Sequence, residues 1–345
     1  MPSLFLQTLA GEASSPPPIW LMRQAGRYLP EYREIRAQAK GFLDLCYTPD
    51  LAVEVTMQPI RRYGFDAAIL FSDILVVPDA LGSDVDFVEG EGPKLSPIRN
   101  GAGVARLGKA KLHEHLAPVY ETLRRLRREL PEDTALIGFA GAPWTVASYM
   151  VEGGGSKEFQ EARLFARRDP EAFSELIDLV TSATIDYLRA QIDAGAEALQ
   201  LFDSWAGVLP PAEFQRWCLR PMAAIVDAVK ASHSEIPIIA FPRGAGVLYQ
   251  HFVETVPVDG VSLDTTVPRE WAAENLRKVC LQGNLDPIAL LSGGDDMLND
   301  ARHLLNSLAG RPHIFNLGHG VLPPTDPDTV SRLVDFVRSY RPSSG

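Results

Sequence analysis

Cysteine is scarce in this 345-residue chain: Cys46, Cys218 and Cys280 stand far apart. No CxxC or CxH spacing occurs, which argues against zinc, an iron–sulfur cluster or a disulfide scaffold. The three thiols read as buried or incidental groups in a reducing cytoplasm. Long apolar runs are missing too. None approaches the roughly 18 residues of a membrane helix. The amino-terminal MPSLFLQTLAGEASSPPP has no basic residue before its short apolar patch, so it does not read as a signal peptide. Cations are the minority charge: 33 Lys and Arg against 44 Asp and Glu leave a net charge of -11. That excludes a generic nucleic-acid binder, which would carry a basic face, but not an anionic small molecule met by a local arginine cluster. Lysine is rare, at positions 40, 94, 109, 111, 157, 230 and 278. Most positive charge is therefore arginine, the residue suited to two-pronged carboxylate recognition. No GxGxxG opens a helix after the first strand, and no P-loop Lys-Ser/Thr follows Gly153–Gly155, so that run reads as a loop.

What is present is an alternation. Short β-like apolar runs recur at Ile19–Met22, Ala67–Phe71, Ala135–Phe139, Ala198–Phe202, Ile236–Phe241, Gly260–Leu263, Val279–Gln282 and Ile314–Leu317. Stretches of helical periodicity lie between them: Thr48–Tyr63, Leu112–Glu129, Pro170–Ala194, Pro211–Ser232, Arg269–Lys278, Asp295–Leu308 and Asp326–Tyr340. Eight strands alternating with helices predict an α/β chain folded as one closed (β/α)8 TIM barrel over residues 17–340, after a short amino-terminal segment, 1–16. An open doubly wound sheet is the alternative. A barrel places its active site where the strands end. The residues just past each run are Arg23 and Arg27, Ser72 and Asp73, Gly141 to Trp144, Asp203 and Ser204, Arg243, Asp264, Asn284 with Asp286, and His319. The set holds charges of both signs, and neither lysine nor cysteine.

Pro18-Ile-Trp-Leu-Met-Arg-Gln-Ala-Gly-Arg27 is the most informative segment. Two arginines four apart can address one anion, and the N–H groups of Gln24, Ala25 and Gly26 between them can add donors. Here the sequence resembles the uroporphyrinogen decarboxylase family. The likeness includes RQAGRYLPEYR (Arg23–Arg33), FDAAILFSDILVVPDALG (Phe65–Gly82), GFAGAPWTVASYMVEG (Gly138–Gly153), LFDSWAG (Leu201–Gly207), FPRGAG (Phe241–Gly246), LQGNLDP (Leu281–Pro287) and NLGHG (Asn316–Gly320). It spans nearly the whole chain.

The resemblance implies a single distorted (β/α)8 barrel, a homodimer, and neither metal nor organic cofactor. It implies conversion of uroporphyrinogen III to coproporphyrinogen III by loss of CO2 from four acetate arms, in heme or chlorophyll biosynthesis. A pyrrole protonated at a ring carbon can accept the electron pair that CO2 leaves behind, so the substrate serves as its own electron sink. By resemblance Asp73 meets the central pyrrole N–H groups and stabilises that cation. Arg23 and Arg27 grip carboxylates, and Tyr149, Ser204 and His319 hydrogen-bond carboxylates or the reacting acetate. Arginine is a poor general acid, because its pKa exceeds 12. Arg33 and Arg36, one helical turn apart, either extend the cationic patch or face solvent. Trp144 and Trp205 read as packed walls. Three rival readings make different demands. A metal-dependent methyltransferase on the same barrel needs a His-x-Cys site, a Schiff-base aldolase needs a strand-end lysine, and a tetrapyrrole-binding protein would lack turnover.

Overall fold

The computed structural model describes residues 2–88 and 90–341. Its strands are β1 (Ala67–Ile69), β2 (Val85–Val88), β3 (Gly92–Leu95), β4 (Ala135–Gly141), β5 (Ala198–Asp203), β6 (Ile238–Pro242), β7 (Gly260–Ser262), β8 (Cys280–Gln282) and β9 (His313–Ile314). Seven of them form one sheet in the order β1-β4-β5-β6-β7-β8-β9, every pairing parallel. β4 to β9 are buried along their whole length, as a parallel sheet covered on both faces requires. The long helix Pro170–Asp193 packs outside the sheet, against β4 and the helix Arg220–Ser232.

The first apolar run is no continuous strand. Ile19 forms a parallel bridge to Phe315, and the Phe315 N–H donates to the Pro18 carbonyl at 2.9 Å. On its other side the Asp66 N–H donates to the Ile19 carbonyl (3.0 Å), and the Ile19 N–H donates to Asp66 Oδ2 (2.8 Å). Pro18–Trp20 therefore stitches β9 to β1 and closes the sheet into the distorted barrel. Pro16, Pro17 and Pro18 supply no N–H donors, which keeps this seam short. Below it, Ser3 caps the helix Leu4–Leu9, whose Leu9 lies against Gly260 at the start of β7.

Polar groups cross the barrel interior. Trp20 Nε1 donates to Gln282 Oε1 (2.8 Å), Gln282 Nε2 donates to Ser262 Oγ (2.6 Å) and to Gln200 Oε1 (3.2 Å), and Gln200 Nε2 donates to Ser262 Oγ (3.1 Å). β5 and β7 are not neighbours, so these side chains must point inward. The belt also fixes a face. Gln200, Phe202 and Ser204 alternate on the inner side, and Phe241, registered with Phe202, shares it.

The structure departs from the periodicity elsewhere as well, adding helices at Pro143–Glu152, Gln160–Arg168 and Leu248–Thr255. The hairpin β2–β3 lies outside the eight apolar runs; its strand Val85–Val88 alternates in burial. The stretch Leu112–Glu129 breaks into Leu112–His115 and Ala117–Glu129, because Pro118 can begin a helix but not continue one. Pro211–Ser232 is interrupted by a π turn at Gln215–Leu219, just before Pro221, whose missing N–H cannot sustain the α ladder. Gly153–Gly155 is a loop as read. Gly153 ends the helix Pro143–Glu152 with φ 81°, and Gly154 bridges to Lys94 of β3.

Gln282→Ala should leave Trp20 Nε1 and Gln200 Oε1 without partners inside the barrel, at a cost of about 1–3 kcal/mol for each unsatisfied group. A thermal melt should show a clearly lower midpoint; an unchanged midpoint would mean the belt contributes little.

Candidate active site

The segment Trp20–Tyr28 is held from several sides. Gln24 is buried beneath it: its Oε1 accepts from the Leu21 N–H (3.1 Å), its Nε2 donates to the Ala67 carbonyl (3.1 Å), and its own N–H donates to the Leu21 carbonyl (2.9 Å). Both ends of Gln24 thus serve the loop's shape, while the N–H groups of Ala25 and Gly26 meet no acceptor among the described residues. Tyr28 Oη donates to the Gln24 carbonyl, and Arg33 Nη1 donates to the carbonyls of Arg27 and Tyr28 at 2.8 and 3.2 Å. Arg33 is therefore a strut behind the loop. Asn316 Oδ1 accepts from the Met22 N–H (2.9 Å), and the Val321 N–H donates to the Met22 carbonyl (2.9 Å), which docks the loop on the segment after β9.

That docking explains two glycines. A Cβ at Gly318 would strike the Thr265 backbone, and one at Gly320 would strike the Arg23 side-chain stem. His319 sits between them, and Arg23 runs across Gly320. Arg23 itself takes the left-handed backbone region, φ 62°, a strained conformation for a side-chain-bearing residue.

Asp73 lies just past β1 on the inward-facing alternation of Ile69, which pairs with Ile137. One donor among the described residues reaches it, the Leu75 N–H at 2.9 Å. It keeps an accessible face, yet protein crowds it closely, the signature of a concave floor. That desolvation pushes its carboxyl up to about 6; the Leu75 N–H and the charge of Arg23 pull the other way. The other strand-end carboxylates are committed elsewhere. Asp203 accepts from Thr145 Oγ1 (2.6 Å) and Cys218 Sγ (2.9 Å). Asp264 accepts from the Gly244 N–H (2.8 Å), Tyr249 Oη (3.2 Å) and the Thr266 N–H (2.9 Å). Asp286 caps the helix Pro287–Ser292, and Asn284 Nδ2 donates to the carbonyls of Asp264 and Val267.

Arg23 is near enough to Asp73 for its charge to be felt and lies close to Tyr149, yet it forms no ion pair among the described residues. Desolvation lowers its pKa, Asp73 and Tyr149 offset part of that, and Arg27 and Arg243 lower it further. Arg27 is exposed beside it. His319 is pushed down to about 4, first by desolvation and then by Arg23 and Arg243, and its Nδ1 is buried with no hydrogen-bond partner among the described residues. Tyr149, on the helix Pro143–Glu152, packs edge-on to Trp205 at 6.3 Å. Burial raises its phenol pKa, so it remains a neutral donor. The Ser204 hydroxyl is half-buried and unbonded among the described residues. Trp144 is fully buried and donates to the Trp205 carbonyl (3.0 Å), so these tryptophans build the wall as read. Phe139, Phe202, Phe241 and His319 follow one another edge to face around the mouth, with centroids 5.7, 6.5 and 6.5 Å apart.

The structure thus gathers Asp73, Arg23, Arg27, Tyr149, Ser204 and His319 at one end of the barrel, above an aromatic floor. Arg243 belongs to the same cluster; its position past β6 was visible in the sequence, but its lack of a partner was not. Cys218 donates to Asp203, and Cys46 and Cys280 are buried; burial and then the nearby Asp73 carboxylate raise the Cys46 thiol pKa. Such a site suits a ligand with an apolar body, polar N–H groups at its centre and several carboxylate arms.

A family model described as "Uroporphyrinogen decarboxylase (URO-D)" matches residues 2–340. A uroporphyrinogen decarboxylase of Rhodospirillum rubrum is 58% identical, covering 98% of this chain and 97% of its own length. One from Paracoccus denitrificans is 56% identical, covering 96% and 98%. Among solved structures, a methyltransferase from Methanosarcina mazei aligns over 98% of both chains with TM-score 0.77 at 18% identity, a likeness of fold alone.

Ring nuclear magnetic resonance of His319 should show a neutral imidazole at pH 7 that gains its proton near pH 4, below the ordinary 6.5. Protonation at or above pH 6.5 would mean that the cleft is far wetter, or less cationic, than its geometry implies.

Proposed function

The chain belongs to the uroporphyrinogen decarboxylase family and is a carboxy-lyase of porphyrin biosynthesis, and from that premise we propose how its residues divide the work. Asp73 receives the central pyrrole N–H groups of uroporphyrinogen. The observation that supports this is an ionisable, nearly donor-free carboxylate on the inward face of a desolvated mouth. Protonation of a pyrrole ring carbon makes a cation. The acetate C–C bond then breaks, its electron pair flows into the ring, and CO2 departs. The exocyclic methylene takes up a proton and becomes a methyl group, and the ring carbon releases its own. Each cycle exchanges one CO2 for one proton, and four cycles yield coproporphyrinogen III.

Charge drives the selectivity for the cationic state. Near 4 Å, at an effective dielectric of 20, one Asp73–cation pair is worth about 4 kcal/mol. Arg23 and Arg27 grip carboxylate arms. Crowding by the surrounding protein and cationic neighbours push Arg23, which keeps an exposed face, in the direction that proton donation requires, although a guanidinium remains a weak acid. Neutral His319 offers one donor and one acceptor, and Tyr149 and Ser204 add hydroxyls that reach the reacting arm. The barrel over residues 17–340 acts as one catalytic domain, working as a homodimer in the cytoplasm without metal or cofactor. Among the described residues no helix is long and apolar enough to cross a membrane.

The direct test is anaerobic incubation with reduced uroporphyrinogen III, scoring CO2 and the carboxylate count of the product. Stepwise loss of four carboxylates is expected; tight binding without CO2 release would replace catalysis with carriage. Asp73→Asn should keep the Leu75 contact and the fold while lowering kcat at least a hundredfold; near-parental turnover would remove the cation-stabilising role. The pH sign also follows. A carboxyl raised to about 6 from 3.8 favours the folded state below the ordinary value, and that contribution is lost as pH rises through 6. Asp73→Asn should therefore melt higher than the parent at pH 7, with the gap narrowing toward pH 4. The parent's kcat/KM should fall on the acid side with a midpoint near 6. Arg23→Ala and Arg27→Ala should each weaken uroporphyrin binding about tenfold to a hundredfold, as loss of a charge-assisted hydrogen bond predicts; unchanged affinity in both would overturn the clamp.

A further inference from the structure

We propose that Arg243 is a third substrate-binding arginine, holding a carboxylate arm from the β6 side of the mouth, opposite the Arg23–Arg27 loop's attachment to β1. The proposal rests on the reading that the substrate is a polycarboxylate. It begins with where the strand aims the residue. Phe241 points into the barrel, packed against Phe202 and His319, and β6 ends at Pro242 in a tight turn in which the Arg243 N–H bonds back to the Phe241 carbonyl (3.0 Å), setting Arg243 at the rim beside that ring.

The backbone there is fixed. The Arg243 N–H donates to the Asp203 carbonyl (3.1 Å), and its carbonyl accepts from the Gly207 N–H (3.0 Å). Gly244 and Gly207 lie so close that a Cβ on Gly207 would strike the Gly244 carbonyl at 2.6 Å. The Gly244 N–H is held by Asp264. A side chain launched from so rigid a turn is presented rather than trailing in solvent.

Its guanidinium is nonetheless without an acceptor. Arg243 is only part-exposed, and among the described residues it donates no side-chain hydrogen bond and joins no ion pair. The two carboxylates nearest along the chain and across the turn, Asp203 and Asp264, are engaged by Thr145 with Cys218 and by Gly244, Tyr249 and Thr266. Arg23 and His319 both feel its positive charge. Arg23, Arg27 and Arg243 share one mouth and none of them forms an ion pair among the described residues, so they repel one another until further anions arrive. Substrate carboxylates are the anions that the reaction brings.

The test compares the parent with Arg243→Gln, Arg243→Ala and Arg243→Lys. Uroporphyrin, the oxidised and unreactive octacarboxylate, serves as the binding probe by fluorescence quenching, and uroporphyrinogen as the kinetic substrate. Gln and Ala should weaken uroporphyrin binding and raise KM about tenfold to a hundredfold with a smaller change in kcat. Lys should recover part of the affinity, because it restores charge but not the planar fork. Affinity within twofold of the parent in both Gln and Ala variants would overturn the assignment. So would a lowered melting temperature that Lys fails to restore alongside equal affinity losses in all three, since that pattern marks a structural arginine. A parent that leaves uroporphyrinogen untouched would instead sink the activity reading, whatever the variants do.

Discussion

An ionisable carboxylate with almost no donors of its own, facing guanidinium groups that stop short of it, is the constraint around which this barrel mouth is organised. Asp73 accepts one backbone N–H. Arg23 lies near enough for its charge to matter and forms no ion pair with it. In most proteins such a pair would collapse into contact, because burying an unmatched charge is costly. Here the loops hold the charges apart. The gap can receive a ring of N–H groups on one side and carboxylates on the other. Preorganisation of this kind moves the reorganisation cost from the reaction into folding.

Holding that gap takes a good deal of structure. The arginine loop hangs from Gln24, Asn316, Tyr28 and Arg33, each bonded to its backbone. Arg23 accepts a left-handed backbone there, and Gly320 yields the space its stem needs. On the opposite wall, the Asp203–Thr145–Trp205 contacts fix the turn that bears Ser204. Beneath both, the Trp20–Gln282–Ser262–Gln200 belt joins the stitched first strand to the barrel's far side. Most polar strand-end residues thus support geometry, and few remain free to meet a ligand.

The sequence made the architecture readable because eight apolar runs alternated with amphipathic stretches, and the parallel sheet follows from that order. It was less explicit where backbone chemistry overrode periodicity. Ile19–Met22 has the composition of a strand, yet the prolines before it reduce it to a seam. Pro118 and Pro221 divide stretches whose apolar spacing is continuous. The site was legible as a set of strand ends, and family motifs ranked its members. Gln24 was grouped with its neighbours because it sits inside the motif; only the fold shows its amide turned under the loop. Arg243 was one strand-end residue among many, since pairing with Asp203 or Asp264 can be judged only once their partners are known.

Unmatched charges in a crowded crevice also bear on the protein's life outside the reaction. The mouth carries like-charged arginines and a carboxylate stripped of much of its hydration, so a multiply anionic ligand would offset charges that folding alone leaves unmatched. Anything that binds only the native form shifts the folding balance by mass action. Ligand binding and folding stability are thereby coupled through the same few charged groups.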